Sequence, residues 1–152
     1  MCGPAECTRA EWLAAREVGQ LLARAGVVVL CGGGSGVMAA AAAGARAAGG
    51  LVIGIRPGDK LDDAEAGLSV VIATGMGEAR NAVLVRSADA VIVIGGSWGT
   101  LSELALARRA GIPVVGLLSW TVLDANSHPL PDPVPLATSA EDAVHRARTP
   151  HR

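Results

Sequence analysis

Two glycine-rich turns carry the residues best suited to chemistry in this chain. They are Cys31-Gly32-Gly33-Gly34-Ser35-Gly36 and Gly95-Gly96-Ser97-Trp98-Gly99-Thr100. Each follows a short apolar run and precedes a helical pattern. Glycine lets backbone N–H groups come close to an anion, and a helix start adds the positive end of its dipole. Gly32, Gly33, Gly34, Ser35, Gly36, Gly95, Gly96, Ser97, Trp98, Gly99 and Thr100 are therefore the expected phosphate-binding set. Neither turn ends in the Gly-Lys-Ser/Thr of a Walker A loop, and the first is not a G-x-G-x-x-G fingerprint in register. The second turn adds a hydroxyl, Thr100, and a carboxylate, Glu103. Two readings of Glu103 stand side by side. Thr100-x-x-Glu103 is a capping-box spacing in which the carboxylate only satisfies a backbone donor, or Glu103 is a working group of the site.

The elements that must position these turns alternate. Thr8-Arg9-Ala10-Glu11 is a capping box, and Ala14, Val18, Leu21, Leu22 and Ala25 follow at helical intervals up to Gly26. The spacing predicts a strand over 27–31, a helix over 37–48 and a strand over 51–55. It then predicts a polar loop over 56–67, a strand over 69–73, a helix over 78–87 and a strand over 90–94. A helix over 100–110, a strand over 113–117, a loop over 126–135 and a last helix opened by Thr138-x-x-Glu141 complete the chain. Unbroken apolar strands between helices predict an α/β, Rossmann-like, doubly wound, mostly parallel sheet with helices on both faces, its ligand site at the carboxyl ends of the strands. A doubly wound sheet normally opens on a central strand, whereas Met1-Cys2-Gly3-Pro4 passes almost directly into a helix. The first central strand is thus expected to be missing, with Cys2-Gly3-Pro4 its remnant and the natural start upstream.

At 152 residues and 51% hydrophobic, the chain suits one well-buried domain over 1–152, with 148–152 a frayed tail. A net charge of −1, and tryptophan as the sole aromatic residue type, give no footprint for nucleic acid. No apolar run is long enough for a spanning helix, so no membrane partner is expected. Cys2, Cys7 and Cys31 are odd in number and lack metal-ligand spacing. Neither a disulfide framework nor a metal site is implied, and a reducing cytoplasm is the expected location. Asp62, Asp63 and Glu65 read more simply as a polar loop than as a metal cluster, His128 as solvated, and Met38 and Met76 as packing beside the turns.

The second turn resembles the P-G-G-x-G-T-x-x-E signature of the Lonely Guy (LOG) phosphoribohydrolases, often labelled lysine decarboxylase-like. Gly96, Gly99, Thr100 and Glu103 match it. Gly77-Glu78-Ala79-Arg80-Asn81 stands where that family has an Arg-Lys pair, with Arg80 matching and Asn81 replacing the lysine. Gly95 replaces the motif's proline and Ser97 its second glycine. G-E-A-R-N together with G-G-x-aromatic-G-T-L-S-E is similar to the molybdenum-cofactor carrier branch of LOG-like proteins, over about residues 10–120.

That resemblance implies a homo-oligomer, a dimer or tetramer, that binds a small phosphorylated ligand. The ligand is a pterin phosphate such as the molybdenum cofactor, or a nucleoside monophosphate, and no cofactor is required. Arg80 and Asn81 join the ligand-binding set on the same ground. Two functions follow, and whether the chain is an enzyme stays open between them. A carrier would hold the ligand without turnover. A phosphoribohydrolase of the cytokinin riboside type would cleave the N-glycosidic bond of a nucleoside 5′-monophosphate. Arg80 and Glu103 would then be catalytic, Glu103 in its ionised form stabilising oxocarbenium-like charge or orienting water, and Arg80 holding the phosphate or assisting the leaving base.

Overall fold

The computed structural model describes residues 1–60 and 67–149. Asp62, Asp63 and Glu65 lie outside that range, as does the end of the expected tail at 150–152. The chain runs α1 (Arg9–Arg24), β1 (Val29–Cys31), α2 (Val37–Ala47), β2 (Val52–Arg56) and β3 (Val70–Ala73). A 3-10 turn (Gly77–Ala79) leads into α3 (Arg80–Arg86), and β4 (Val91–Ile94), α4 (Trp98–Arg109), β5 (Val114–Leu117), β6 (Leu136–Ala137) and α5 (Ala140–Arg148) follow. The alternation read from the sequence is present throughout. β6 is an addition: two residues in a proline-rich stretch pair with Gly116 and Leu117.

The pairings between the named strands are all parallel, and an isolated bridge between Leu123 and Pro129 is antiparallel. Three strands pair in the order β1-β2-β3 and three in the order β4-β5-β6. Residues Met1–Gly3 join the two halves. The Cys2 N–H donates to Ile92 at 3.0 Å, Ile94 N–H donates to Cys2 at 2.9 Å, and the Met1 nitrogen donates to the Leu30 carbonyl at 2.8 Å. The order across the molecule is therefore β3-β2-β1-(1–3)-β4-β5-β6, that of a doubly wound Rossmann sheet with the site at the reversal point. Cys2 occupies the central position of that order, bridged in parallel to Val93.

β4 and β5 are buried at every residue, as strands covered on both faces require. One core layer places α1, α2 and α5 over the sheet through Val18, Leu22, Ala41 and Val144; Leu84, Val85 and Leu104 from α3 and α4 cover the other face. The α1–α2 crossing is close enough to be made of backbone. A Cβ at Gly19 would overlap the Ala41 carbonyl, and one at Gly44 the Arg16 carbonyl. Thr8 caps α1 through the full reciprocal box with Glu11. Among the described residues, no helix is long and apolar enough to cross a membrane.

Candidate functional site

Three turns, rather than two, meet at the carboxyl ends of β1, β4 and the central segment. Gly3-Pro4-Ala5 crosses above the start of α2, where Val37 N–H donates to the Pro4 carbonyl at 3.1 Å. The Ser35 hydroxyl donates to Ala5 O at 3.2 Å, and Ser35 itself is exposed. Gly36 has φ +63, and a Cβ there would overlap the Pro4 and Ala5 carbonyls; only glycine lets these backbones pass. The start of α2 thus already holds one carbonyl, leaving the Met38 and Ala39 amides without a partner among the described residues.

The second turn is the more open. Ser97, not Thr100, caps α4: its Oγ accepts from Thr100 N–H at 3.2 Å and lies 2.9 Å from Thr100 Oγ1. The amides of Trp98 and Gly99 in the first turn of α4 have no partner among the described residues, and both residues are exposed. Those two donors at a helix start are what an anion could accept from. Gly95 takes φ +67, beyond which the Trp120 ring covers Gly96. Trp120 meets Trp98 edge to face at 5.8 Å, and Trp98 is 81% exposed.

Because Ser97 is the cap, the capping-box reading of Glu103 does not hold. Glu103 sits one turn deeper and is 6% exposed. Its Oε1 accepts from Arg80 Nη1 at 3.2 Å. Arg80 enters from the first residue of α3 and reaches the first glycine turn as well, since a Cβ on Gly32 would lie 2.8 Å from its Nη2. One guanidinium therefore bridges the two turns. Burial pushes the Glu103 carboxyl above its ordinary value, opposed chiefly by the Arg80 charge. Desolvation is thus the largest influence on this carboxyl.

Asn81 is buried, and its Oδ1 has no hydrogen-bond partner among the described residues. Thr100 is buried beside Ser97, Gly32 and Gly33 are buried, and Gly34 is half-buried under Met38. Met38 is beside the first turn as expected, whereas Met76 is exposed and packs little. His128 is exposed, 3.7 Å from Asp124. No group of three or more His, Cys, Asp and Glu among the described residues could hold a metal ion.

Two neighbours of the site carried no functional reading in the sequence. Arg56, closing β2, donates from Nη1 to the Gly33 carbonyl at 2.8 Å, and its buried Nε, like Arg80 Nε, has no hydrogen-bond partner among the described residues. An arginine closing an otherwise apolar strand was the available signal. Cys2 lies beside Glu103 in the central segment, where burial pushes its thiol up to about 12.

A topology that converges three small-residue turns on one buried Arg–Glu pair has relatives. The model of the SLOG cluster4 family matches residues 1–145. The chain belongs to the SLOG cluster4 family. A protein of Archaeoglobus fulgidus is 43% identical over 122 residues, 80% of each chain. The molybdenum cofactor binding protein of Rippkaea orientalis superposes with a TM-score of 0.83 at 36% identity, covering 95% of this chain and 90% of that one. The molybdenum cofactor carrier protein of Chlamydomonas reinhardtii gives 0.79 at 31% identity, covering 94% and 90%. A LOG-like Rossmann family, near the carrier-protein branch, is thus the setting of the site, and a ligand-binding role is the function it supports.

Proposed function

We propose that this protein holds a phosphorylated pterin or nucleotide-like molecule without turning it over, in the manner of a molybdenum-cofactor carrier. The observation that carries this reading is the position of Arg80. Its guanidinium lies between the Gly32 backbone and Glu103, so it can meet a phosphate at the turns while the carboxylate below fixes its orientation. The Trp98 and Gly99 amides would hold phosphate oxygens, and the exposed Trp98 face would take a ring. Unpartnered Arg80 Nε and Asn81 Oδ1 fit a ligand that brings polar groups of both kinds. The molybdenum cofactor, when bound, supplies a redox-active metal to a later acceptor; this chain's part is to bind, orient and shield it.

Glu103 also supports this order of readings. A carboxylate that is buried, raised in pKa and engaged with Arg80 serves better as a support than as a stabiliser of developing positive charge. The phosphoribohydrolase reading is kept by one observation: its two expected catalytic groups, Arg80 and Glu103, are in contact.

Calorimetric titration with AMP and with a phosphorylated pterin, alongside chromatography for free adenine, separates the two. Saturable binding of at least one probe, weakened about tenfold or more by Arg80→Ala, with no base released, is the expected result. Base release by the wild type that Glu103→Gln abolishes would replace the carrier reading with the hydrolase. Absence of binding to either probe would remove both.

A further inference from the structure

Arg80 is not the only guanidinium at the first glycine turn. β2 ends on its one charged residue, Arg56, whose backbone is fixed by the neighbouring strand. The Arg56 carbonyl accepts from the Thr74 N–H at 3.2 Å and from the Thr74 hydroxyl at 2.7 Å, which ties the end of β2 to the end of β3. From there the side chain crosses to the turn that follows β1. Its Nη1 donates to the Gly33 carbonyl at 2.8 Å, and a Cβ on Gly33 would lie 2.9 Å from its Cδ. A side chain at Gly54 would close this crossing, because its Cβ would stand 3.2 Å from the Gly33 Cα. Arg80 lies against the preceding residue: a Cβ on Gly32 would be 2.8 and 3.0 Å from its Nη2 and Nη1. Two guanidinium groups, one from β2 and one from α3, therefore bear on consecutive residues of one turn.

The two charges are not equivalent. Arg80 is paired with Glu103 at 3.2 Å, whereas no ion pair among the described residues includes Arg56. Each guanidinium carries five N–H donors and no acceptor. Arg56 gives one to Gly33 and Arg80 gives one to Glu103, and the buried Nε of each has no partner among the described residues. Buried donors left unmet are destabilising, so a partner made of acceptors alone is favoured here. A phosphate monoester supplies three free oxygens and close to two negative charges, while a phosphodiester supplies fewer oxygens and one charge. We propose that Arg56 is a second phosphate-contacting cation of this site and makes the first turn selective for a terminal phosphate monoester over a phosphodiester. This rests on the reading of the turns as a phosphorylated-ligand site and narrows it to one phosphate chemistry. Arg80, already offset by Glu103, sets the direction of the phosphate oxygens. Arg56 adds the net charge that separates a dianion from a monoanion. Its bond to Gly33 holds the fork against the turn, so little side-chain freedom is lost on binding.

The test is calorimetry near pH 7.5 with AMP and with the methyl ester of its phosphate, on wild type, Arg56→Leu and Arg56→Lys. Wild type is expected to bind AMP at least about tenfold more tightly than the methyl ester. Arg56→Leu should reduce that ratio to about threefold or less, and Arg56→Lys, which keeps the charge without the fork, should fall between. Should Arg56→Leu fail to fold, wild type is titrated with inorganic phosphate while the Arg56 and Arg80 Nε–H signals are followed by NMR. Both signals are expected to shift along one saturation curve, and a response from Arg80 alone overturns the proposal. Equal weakening of both esters by Arg56→Leu also overturns it, since that is the mark of a residue that only supports the turn. AMP binding with no preference over the methyl ester overturns the role of Arg56 and leaves the carrier reading standing. Inorganic phosphate sensed by both arginines, with no binding of AMP or of a phosphorylated pterin, removes the carrier reading and supports the phosphate site. No response to any of these probes removes both.

Discussion

Removing Arg80 should expose how much of the site's order depends on one buried ion pair. The side chains of Arg80 and Glu103 are 13% and 8% exposed, and taking one partner from such a pair typically costs about 3–5 kcal/mol. The cost should depend on pH in a definite direction. Burial raises the folded-state pKa of Glu103 above its ordinary value, with Arg80 the main opposing influence. A raised carboxyl contributes stability that is full below the unfolded-state value and is lost as pH rises through the folded-state value. Arg80→Leu removes the charge that restrains the shift, so the folded-state value climbs further and the loss extends to higher pH, at about 1.4 kcal/mol per added unit. At the acid end of the series, below the folded-state value, the penalty should shrink to about 1 kcal/mol, a lost hydrogen bond and some packing. Near pH 7.5 it should reach about 3 kcal/mol. Urea denaturation of wild type, Arg80→Leu, Glu103→Gln and the double variant, at several pH values, gives these differences and their coupling. Glu103→Gln keeps an acceptor for Nη1 and should flatten the pH dependence. A pH-independent penalty for Arg80→Leu, or additive single effects in the cycle, would refute the reasoning, because either means the two groups do not act as a desolvated pair.

Three other outcomes follow from named contacts. Gly44→Ala drives a Cβ into the Arg16 carbonyl at the α1–α2 crossing and should cost about 2–3 kcal/mol in chemical denaturation; a change under about 0.5 kcal/mol would show the helices free to separate. Gly96→Ala should displace Trp120 and break its edge contact with Trp98, seen as a red shift in tryptophan emission and weaker ligand binding, and an unchanged spectrum would contradict the contact. Iodoacetamide at pH 8 should label Cys7 alone in the native protein, because Cys2 and Cys31 are buried with raised thiols and Cys2 stands at about 12. Native labelling of Cys2, read by peptide mass spectrometry, would mean the central segment opens readily.

What could be read in advance divides along the distance in sequence over which each feature is determined. Thr8 and Glu11 satisfy each other within one turn, so the start of α1 is legible from four residues. The start of α4 offers two overlapping spacings of the same kind, Ser97-x-x-Thr100 and Thr100-x-x-Glu103. The choice is made by where β4 ends and by the positive φ at Gly95, both set by the sheet. Reading the later register made Glu103 a capping residue on one account and an ionised helix-start carboxylate on the other; the earlier register buries it. A change of register also occurs at α5, by one residue in the other direction, where Ser139 with Asp142 caps in place of the expected Thr138 with Glu141.

Arg56 shows the other limit. Its sequence neighbours mark only the end of a strand and the start of a polar loop. Its contact with Gly33 exists because the parallel register of β1 and β2 sets Cys31 beside Gly54 and brings the Gly33 and Gly54 backbones together. The central segment was legible only from what a doubly wound sheet requires and not from its own pattern: three residues are too few to show a period, and their strand character comes wholly from the two edges that flank them. The parts of the site that were legible are those where glycine or a cap must sit for local reasons. The parts that give it electrostatic character, Arg80 under Gly32, Glu103 beneath the turn and Cys2 beside it, are long-range contacts. Family resemblance could point to two of them, but only the assembled sheet sets their burial and hence the direction of their pKa shifts.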